Sequence, residues 1–143
     1  MIGTQSLTDL YVEVQHFHAR QMQLLDGGDF PAYAATFTED GEFTHTPQQP
    51  PALGRDGIVA ELNRFHQRFA EDPVIRRHWF NQLWLEPRED GSVQATYYAL
   101  VVTTRPERNV TIAPSCVVRD VLVRDGEGNL LVRSRTVDHD RLA

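Results

Sequence analysis

The sequence predicts an α+β fold in which helices pack on one face of a curved, mainly antiparallel sheet and enclose a pocket. Two observations predict it. Apolar residues recur at helical spacing as far as Phe69, and from Val74 onward they follow strand-like runs joined by tight turns. Helices followed by consecutive strands are typical of this class. A chain of 143 residues suits one core, so we expect a single domain spanning 1–143.

Three helices are predicted in the first half of the chain. The first spans Leu7–Leu25, because its apolar residues return every three or four positions, with Ser6 or Thr8 as N-cap. Gly27–Gly28 ends it. A second, short helix fits Asp29–Phe37. The third helix is marked by the spacing of Ile58, Leu62, Phe65 and Phe69.

One strand is predicted between the second and third helices, and four more follow the third. A turn at Thr38–Gly41 precedes the first strand, and a proline-rich loop covers Gln48–Leu53. The last four strands form two hairpins, with turns at Arg88–Gly91 and Asp125–Asn129. The predicted strands are Glu42–Thr46, Val74–Glu86, Ser92–Thr104, Ser115–Arg124 and Leu130–Val137.

Composition excludes several classes of partner. The net charge is −6 and the arginines are scattered, which argues against nucleic-acid binding. No apolar run approaches the roughly 20 residues of a membrane span, and the N-terminus lacks the order of a signal peptide. The single cysteine, Cys116, excludes an internal disulfide and fits a reducing compartment. We therefore expect a cytoplasmic protein with neither nucleic-acid nor membrane partners.

The first helix carries two polar residues on its apolar face. At 100° per residue, His18 lies about 20° from the centre of that face and Gln21 about 40° away. His16 lies on the opposite side, so the two histidines cannot share a metal ion. His18 is either a buried histidine satisfied by a hydrogen bond or a group of a functional pocket.

The stretch RRHWFNQLWLE, residues 76–86, mixes polar and aromatic side chains in one strand. Period-two alternation predicts a pocket-facing set of His78, Phe80, Gln82, Trp84 and Glu86. The opposite face would carry Trp79, Asn81, Leu83 and Leu85. A symmetric hairpin sets Tyr97 beside the pocket-facing set, whereas a one-residue bulge exchanges it for Tyr98.

Most motifs of cofactor and nucleophile chemistry are missing. The sequence has no phosphate-binding glycine loop, no dinucleotide fingerprint and no metal-ligand spacing, so we expect neither a metal nor an organic cofactor. Cys116 lies in a valine-rich strand and is interpreted as a buried small hydrophobe. Histidines, tyrosines and amides in apolar surroundings suit proton transfer on a flat organic ligand.

Four stretches occur in a family-like order along nearly the whole chain: LLDGGDFPAYAATFTEDGEF, GRDGI, RRHWFN and LVRSRTVDHD. Together with the element order they resemble the SnoaL-like branch of the nuclear transport factor 2-like superfamily, which contains polyketide cyclases and dehydratases. The resemblance implies a cone-shaped fold, a small-molecule substrate, no cofactor, and a homodimer formed through the outer face of the sheet. The apolar stripe with Trp79, Leu83 and Leu85 gives that dimer a physical reason.

Scytalone dehydratase, in the same superfamily, is similar in its elements and implies roles for two residues. Its catalytic histidine matches His78, and the serine that opens its penultimate strand matches Ser115. Its helix-one aspartate falls at Gln23, so the carboxylate that would tune the histidine is missing at that register. His18 or His45 could take the place of this carboxylate, since a histidine acts as a base, an acid or a hydrogen-bond donor near neutral pH.

The resemblance favours a cofactor-independent cyclase or dehydratase acting on an aromatic, polyketide-derived intermediate, with His78 moving a proton. Substrate-binding residues are expected to be His18, Phe80, Gln82, Trp84 and Tyr97. A second hypothesis is a non-catalytic assembly or ligand-binding subunit, which resembles the β subunit of ring-hydroxylating dioxygenases. A third is an isomerase or epoxide hydrolase, which needs an inward carboxylate at Asp26, Glu42 or Glu61.

Overall fold

The computed structural model describes residues 5–46, 48–107 and 109–142. The helices are α1 (Leu7–Asp26), α2 (Phe30–Ala34) and α3 (Gly54–His66), the last continued by a 3₁₀ turn at Gln67–Phe69. The strands are β1 (Phe37–Thr44), β2 (Ala52–Leu53), β3 (Ile75–Pro87), β4 (Val93–Thr104), β5 (Val110–Arg124) and β6 (Leu130–His139). In these ranges no helix is long and apolar enough to cross a membrane.

The strands form one sheet in the order β2-β1-β6-β5-β4-β3. Every neighbouring pair is antiparallel except β1 and β6, which run parallel. The helices pack against this sheet, and buried side chains from both layers form a single core. The predicted α+β class, with helices on a mainly antiparallel sheet, is therefore confirmed.

The helix boundaries follow their capping residues. Ser6 caps α1, its side chain accepting a hydrogen bond from the Asp9 backbone N–H at 3.0 Å, and Gly27 ends the helix as predicted. Asp29 caps α2 in the same way. That helix ends at Ala34, earlier than predicted, because Phe37 already belongs to β1 and is fully buried.

The turn predicted at Thr38–Gly41 coincides with an irregular segment inside β1, which spans Phe37–Thr44. Phe37 pairs with Val132 and Glu42 with Ser134, so the residues between Phe37 and Glu42 loop out of the ladder and bring Gly41 back towards Phe37. At Gly41 an added Cβ would lie 3.0 Å from the Phe37 Cβ, which explains the glycine by close approach. Two further strand limits differ from prediction: Ala52–Leu53 pairs with β1 as a short strand, and β5 begins at Val110.

A bulge in β3 decides which side chains face the helices. Phe80 pairs with Ala99 but Trp84 pairs with Thr96, so β3 carries one more residue than β4 in this interval. Gln82 has φ 58°, a backbone conformation rare for its residue type. The alternation consequently reverses: Leu85 is buried and Trp84 is exposed, opposite to the sequence prediction.

A second bulge, in β6, turns an arginine inward. Val121 pairs with Ser134 whereas Leu122 pairs with Val132, which leaves Arg133 as the extra residue. Simple alternation from the buried Val132 would send Arg135 to the outside. With the bulge, Arg135 points into the core and is only 2% exposed.

Candidate active site

A cavity of about 260 Å³ lies between the helices and the inner face of the sheet. Its wall combines side chains from α1, α3 and β1 with others from β3, β4, β5 and β6. Apolar contributors include Phe43, Phe80, Val101 and Val118. A smaller adjoining cavity of about 80 Å³ shares His78 with it and is also lined by Asp26. A largely apolar pocket with a few polar groups is the usual form of a small-molecule site.

His78 and Asp26 form an ion-pair geometry at this wall. His78 Nδ1 lies 2.6 Å from Asp26 Oδ1, and the His78 backbone N–H donates to Asp26 Oδ2 at 3.2 Å. The Asp26 side chain is 8% exposed and that of His78 18%. Both carboxylate oxygens therefore hold one residue, which fixes the imidazole orientation and places the proton on Nδ1. The Nε2 atom is then the basic nitrogen.

The contact between Asp26 and His78 arises from the end of α1. Asp26 is the last residue of that helix, directly before the Gly27 cap, and α1 packs against β3. His78 and Phe80 share the inner face of β3 because both precede the bulge at Gln82. The helix end thus delivers a carboxylate to the strand residue that faces the cavity.

A second histidine at the wall also has a carboxylate partner. His45 Nε2 lies 2.9 Å from Glu61 Oε2, and its ring stacks on Phe43 with centroids 4.9 Å apart. Burial lowers the pKa of His45, and the hydrogen bond from its ring to Glu61 opposes that shift only in part. Burial alone would raise the pKa of Glu61, but hydrogen bonds from Arg64 and His45 lower it. Glu61 is therefore ionised, and its two oxygens are engaged by Arg64 and by the His45 ring.

Arg135 is the centre of a buried polar network beneath the cavity. Its Nε and Nη2 atoms donate to the two oxygens of Asp120, each at 2.8 Å. It also donates to the Tyr33 hydroxyl at 3.0 Å and to Gln21 Oε1 at 2.7 Å. Gln21 in turn donates to Thr36 at 2.7 Å. Bidentate pairing with a carboxylate and further acceptors compensate the buried guanidinium.

Asp120 connects this network to His18 and Tyr97. Its Oδ2 lies 3.1 Å from His18 Nε2 and accepts the Tyr97 hydroxyl at 3.0 Å. Burial would raise the pKa of Asp120, but the Arg135 charge outweighs it and lowers the pKa to about 2. Burial lowers the pKa of His18 and raises that of Tyr97. His18 is thus a neutral ring held in the core.

The structure brings only some of the predicted site residues together. His78 and Phe80 line the cavity. His18 and Tyr97 are buried behind the Phe80 ring, with centroids 5.3 and 4.6 Å from it, and neither is a lining residue. Tyr97, not Tyr98, is the inward tyrosine of β4, since Tyr98 is exposed.

Gln82, Trp84 and Ser115 were expected to face the pocket, and that placement is wrong. The β3 bulge exposes Gln82 and turns Trp84 outward to 63% exposure. Ser115 alternates with the buried Cys116 on β5, so it faces outward and donates to Asp140 at 2.5 Å. Gln82 and Ser115 instead line a shallow groove on the outer face of the sheet.

Sequence reasoning missed Asp26 as the partner of His78. The helical wheel sets Asp26 about 100° from the centre of the apolar face, so periodicity gives no sign that it points inward. Gln23, the position matched to the expected carboxylate, is exposed. The partner lies three residues later, nearly one helical turn on. The sequence does contain one signal: Gly27 and Gly28 mark the end of α1, and Asp26 is the charged residue directly before them.

Cys116 lines the cavity as a buried free thiol. Burial raises the pKa of this thiol to about 11, and the nearby Asp140 and Asp138 charges act in the same direction. It is therefore protonated near neutral pH and contributes a small apolar surface. This agrees with its interpretation as a small hydrophobe. No group of three or more His, Cys, Asp or Glu side chains suited to a metal ion occurs in residues 5–46, 48–107 and 109–142.

Comparison with known proteins gives a family and close structural relatives. A family model described as SnoaL-like domain matches residues 6–136. ActVI-ORFA from Streptomyces coelicolor is 51% identical, with 94% of this chain and 99% of that chain covered and a TM-score of 0.88. Aln2 from a Streptomyces species is 40% identical, with coverages of 95% and 94% and a TM-score of 0.85.

A Catenulispora acidiphila protein solved in complex with S-DNPA is 55% identical, with coverages of 93% and 95% and a TM-score of 0.87. A chain from Novosphingobium aromaticivorans, described as the β subunit of a ring-hydroxylating dioxygenase, is only 17% identical and shows the fold alone. The search of curated proteins found no match.

Proposed function

The chain belongs to the SnoaL-like domain family, and from this premise we propose that it is a cofactor-independent cyclase or dehydratase. Its substrate would be an aromatic, polyketide-derived intermediate. The observation that carries the proposal is the His78–Asp26 pair on the wall of an apolar cavity. A histidine oriented by a carboxylate is a general acid and base in one side chain.

The chemistry needs one positioned proton carrier. In a dehydration, His78 Nε2 removes the proton from the carbon beside a carbonyl, and the electron pair expels the neighbouring hydroxyl. The imidazolium then gives its proton to that hydroxyl, which leaves as water. In a cyclisation, Nε2 removes the proton of a hydroxyl that attacks a ketone carbon of the same molecule. The C=O π bond opens, and the imidazolium returns the proton to the former carbonyl oxygen, which gives a cyclic hemiketal. Asp26 stabilises the imidazolium in both cases. A positioned general acid–base group such as His78 contributes about 10²–10⁴-fold.

The relatives support the substrate class. The S-DNPA complex belongs to a protein 55% identical to this chain, so a small organic ligand is the first kind of substrate to test. Phe80 and Phe43 offer rings for stacking inside the cavity. Ser115, Gln82 and Trp84 have no role in this proposal because they face outward.

The two other hypotheses gain less support. The dioxygenase β subunit shares the fold at an identity too low to carry an activity. Asp26 is an inward carboxylate, which an isomerase or epoxide hydrolase would need, but both of its oxygens hold His78. Glu61 is held by His45 and Arg64, and Glu42 is exposed. A carboxylate engaged in this way suits positioning better than direct attack.

The test is a turnover assay with His78→Gln, using S-DNPA and, separately, bicyclic and tricyclic aromatic polyketide intermediates. Glutamine keeps approximate size and polarity but cannot carry a proton near neutral pH. We expect kcat to fall at least about 10²-fold while circular dichroism stays that of the wild type. Unchanged turnover by a folded His78→Gln protein would refute the mechanism. Wild-type protein that converts none of these compounds would refute the proposed reaction.

We also propose a homodimer through the outer face of the sheet and a cytoplasmic location. Trp79, Trp84 and Ile112 are each 63% exposed to solvent and Tyr98 is 57% exposed. An apolar surface of this kind is stabilised when a second subunit covers it. Leu83 and Leu85, expected on this face, point inward after the bulge and belong to the core instead. Light scattering should give twice the 16.3 kDa chain mass, and a monomer would remove the dimer proposal.

A further inference from the structure

The charge of the cavity wall is opposite in sign to that of the chain. The chain carries a net charge of −6. Within the described residues, the lining side chains of the larger cavity include no aspartate and no glutamate. Its basic residues are Arg68, Arg76, Arg135, His45, His78 and His139. A wall of this kind attracts an anion rather than a cation.

Two of these basic residues lack the partners that the others have. Arg135 is paired with Asp120, His78 with Asp26, and His45 with Glu61, and His139 Nε2 lies 3.2 Å from the backbone oxygen of His45. Arg68 and Arg76 form neither an ion pair nor a hydrogen bond with any residue that the structure describes. Their contacts are instead with an aromatic ring at the cavity wall, that of Phe65.

The Phe65 ring holds both guanidinium groups without neutralising them. The Cζ atoms of Arg68 and Arg76 lie 4.8 and 5.0 Å from its centroid, and Arg76 is also 5.5 Å from that of Phe69. Burial lowers the pKa of Arg76, and the nearest opposing charge, Asp26, already holds His78. A half-buried cation with free donors is stabilised when an anion supplies the missing acceptors.

We propose that Arg76, assisted by Arg68, binds the carboxylate of a small aromatic acid whose ring system occupies the apolar cavity. This assignment deepens the proposed function, on which it rests for treating the acid as a substrate. The planar fork of a guanidinium matches a carboxylate with two parallel hydrogen bonds. Arg76 and His78 lie two residues apart on one face of β3, about 7 Å along the strand. Both side chains line the same cavity, so a ligand held by Arg76 lies beside His78.

The experiment compares two probes with the same rings. 2-Naphthylacetic acid and 2-naphthylacetamide differ in charge, and their affinities are measured by isothermal titration calorimetry at pH 7.5 and fixed ionic strength. We expect wild-type protein to bind the acid at least tenfold more tightly than the amide. Arg76→Gln should remove this preference and leave the amide affinity unchanged. Arg68→Gln, at an exposed position, should reduce the preference in part.

Arg77→Gln is the matched control, because Arg77 is the next residue of β3 and is exposed on the opposite face. It should leave both affinities unchanged. Equal affinity for the two probes in wild-type protein would overturn the assignment, as would the absence of any binding of the acid at millimolar concentration. Folded Arg76→Gln and Arg68→Gln proteins that both keep the full preference would do the same.

The failure of this assignment is distinguishable from that of the proposed function. The acid preference is measured without turnover, and His78→Gln should retain it because His78 carries no part of the carboxylate contact. A protein that prefers the acid but shows no loss of turnover in His78→Gln keeps the carboxylate site and loses the proposed mechanism. Loss of turnover in His78→Gln, together with equal affinity of the wild-type protein for the acid and the amide, would support the mechanism and refute the carboxylate site.

Discussion

At the scale of single residues, the partner of His78 decides which ring nitrogen is reactive. Asp26 Oδ1 holds Nδ1 at 2.6 Å while Oδ2 holds the backbone N–H of the same residue. The ring therefore presents Nε2 as its base and is fixed against rotation. Asp26 is a positioning residue in this scheme because it acts through the histidine.

Asp26→Asn should test that role. An asparagine amide offers a donor where the carboxylate accepts, which favours the wrong tautomer of His78 and withdraws the charge that stabilises the imidazolium. We expect kcat to fall at least about 10²-fold with little change in KM, and Asp26→Glu to recover part of the loss. Steady-state kinetics provides the measurement.

Asp29→Asn is the control for this variant. Asp29 caps α2 three residues away, and asparagine caps helices equally well, so activity and stability should stay at wild-type values. A rise in KM with unchanged kcat for Asp26→Asn, or full activity of that variant, would contradict a positioning role.

At the scale of elements, the bulges separate what the sequence predicts from what it does not. The ends of α1 and most ends of the hairpin strands follow from caps, glycines and apolar spacing, and they agree closely with the prediction. The exception is β5, which begins at Val110 and not at Ser115. Alternation in β3 was correct up to Phe80 and reversed after Gln82. A one-residue bulge leaves composition unchanged, and its position depends on pairing with another strand. For that reason His78 and Phe80 were assigned correctly and Trp84 was not.

The same limit applies to the inward turn of Arg135. Its strand reads as ordinary alternation, and only the extra residue at Arg133 brings the guanidinium to Asp120. The Asp26–His78 contact is likewise long-range, joining residues 52 positions apart. Local periodicity carries no information on such pairs, whereas it does identify His18 as a core-facing ring of α1.

Gln82→Gly tests the bulge in β3. Gln82 has φ 58°, which costs a non-glycine residue roughly 1–2 kcal/mol, and glycine adopts it freely at some cost in chain entropy. We expect the free energy of unfolding to rise by about 0.5–1 kcal/mol in urea titrations. Gln94→Gly, in the regular part of β4, should lower it by a similar amount. Destabilisation by both glycines would contradict strain at Gln82.

At the scale of the whole molecule, the Arg135–Asp120 pair joins the sheet to the helices. Asp120 lies on β5 and Arg135 on β6, and their acceptors and donors extend to Gln21 and His18 on α1 and to Tyr33 on α2. Both side chains are essentially buried. Removing one charge leaves the other uncompensated in the core, so a substitution at either residue should lower the free energy of unfolding of the whole domain.

The pair also predicts a dependence of stability on pH. The pKa of Asp120 is about 2 in the folded protein, below its ordinary value near 3.9 in an unfolded chain. A lowered folded pKa adds stability that is complete above about pH 4 and is lost as the pH falls towards 2. Asp120→Asn should lack this component and should cost about 3–5 kcal/mol at pH 7, because Arg135 is left buried without its counter-charge.

Urea titrations at pH 7, 4, 3 and 2.5 provide the measurement. Asp138→Asn is the control, since Asp138 pairs with Arg119 at 2.8 Å but is exposed, and such pairs contribute at most about 1 kcal/mol. Its acid profile should follow the wild type. If Asp120→Asn lost no more stability at pH 7 than Asp138→Asn, the buried pair would not hold the layers together. An equal acid slope in wild type and Asp120→Asn would assign that slope to other carboxylates.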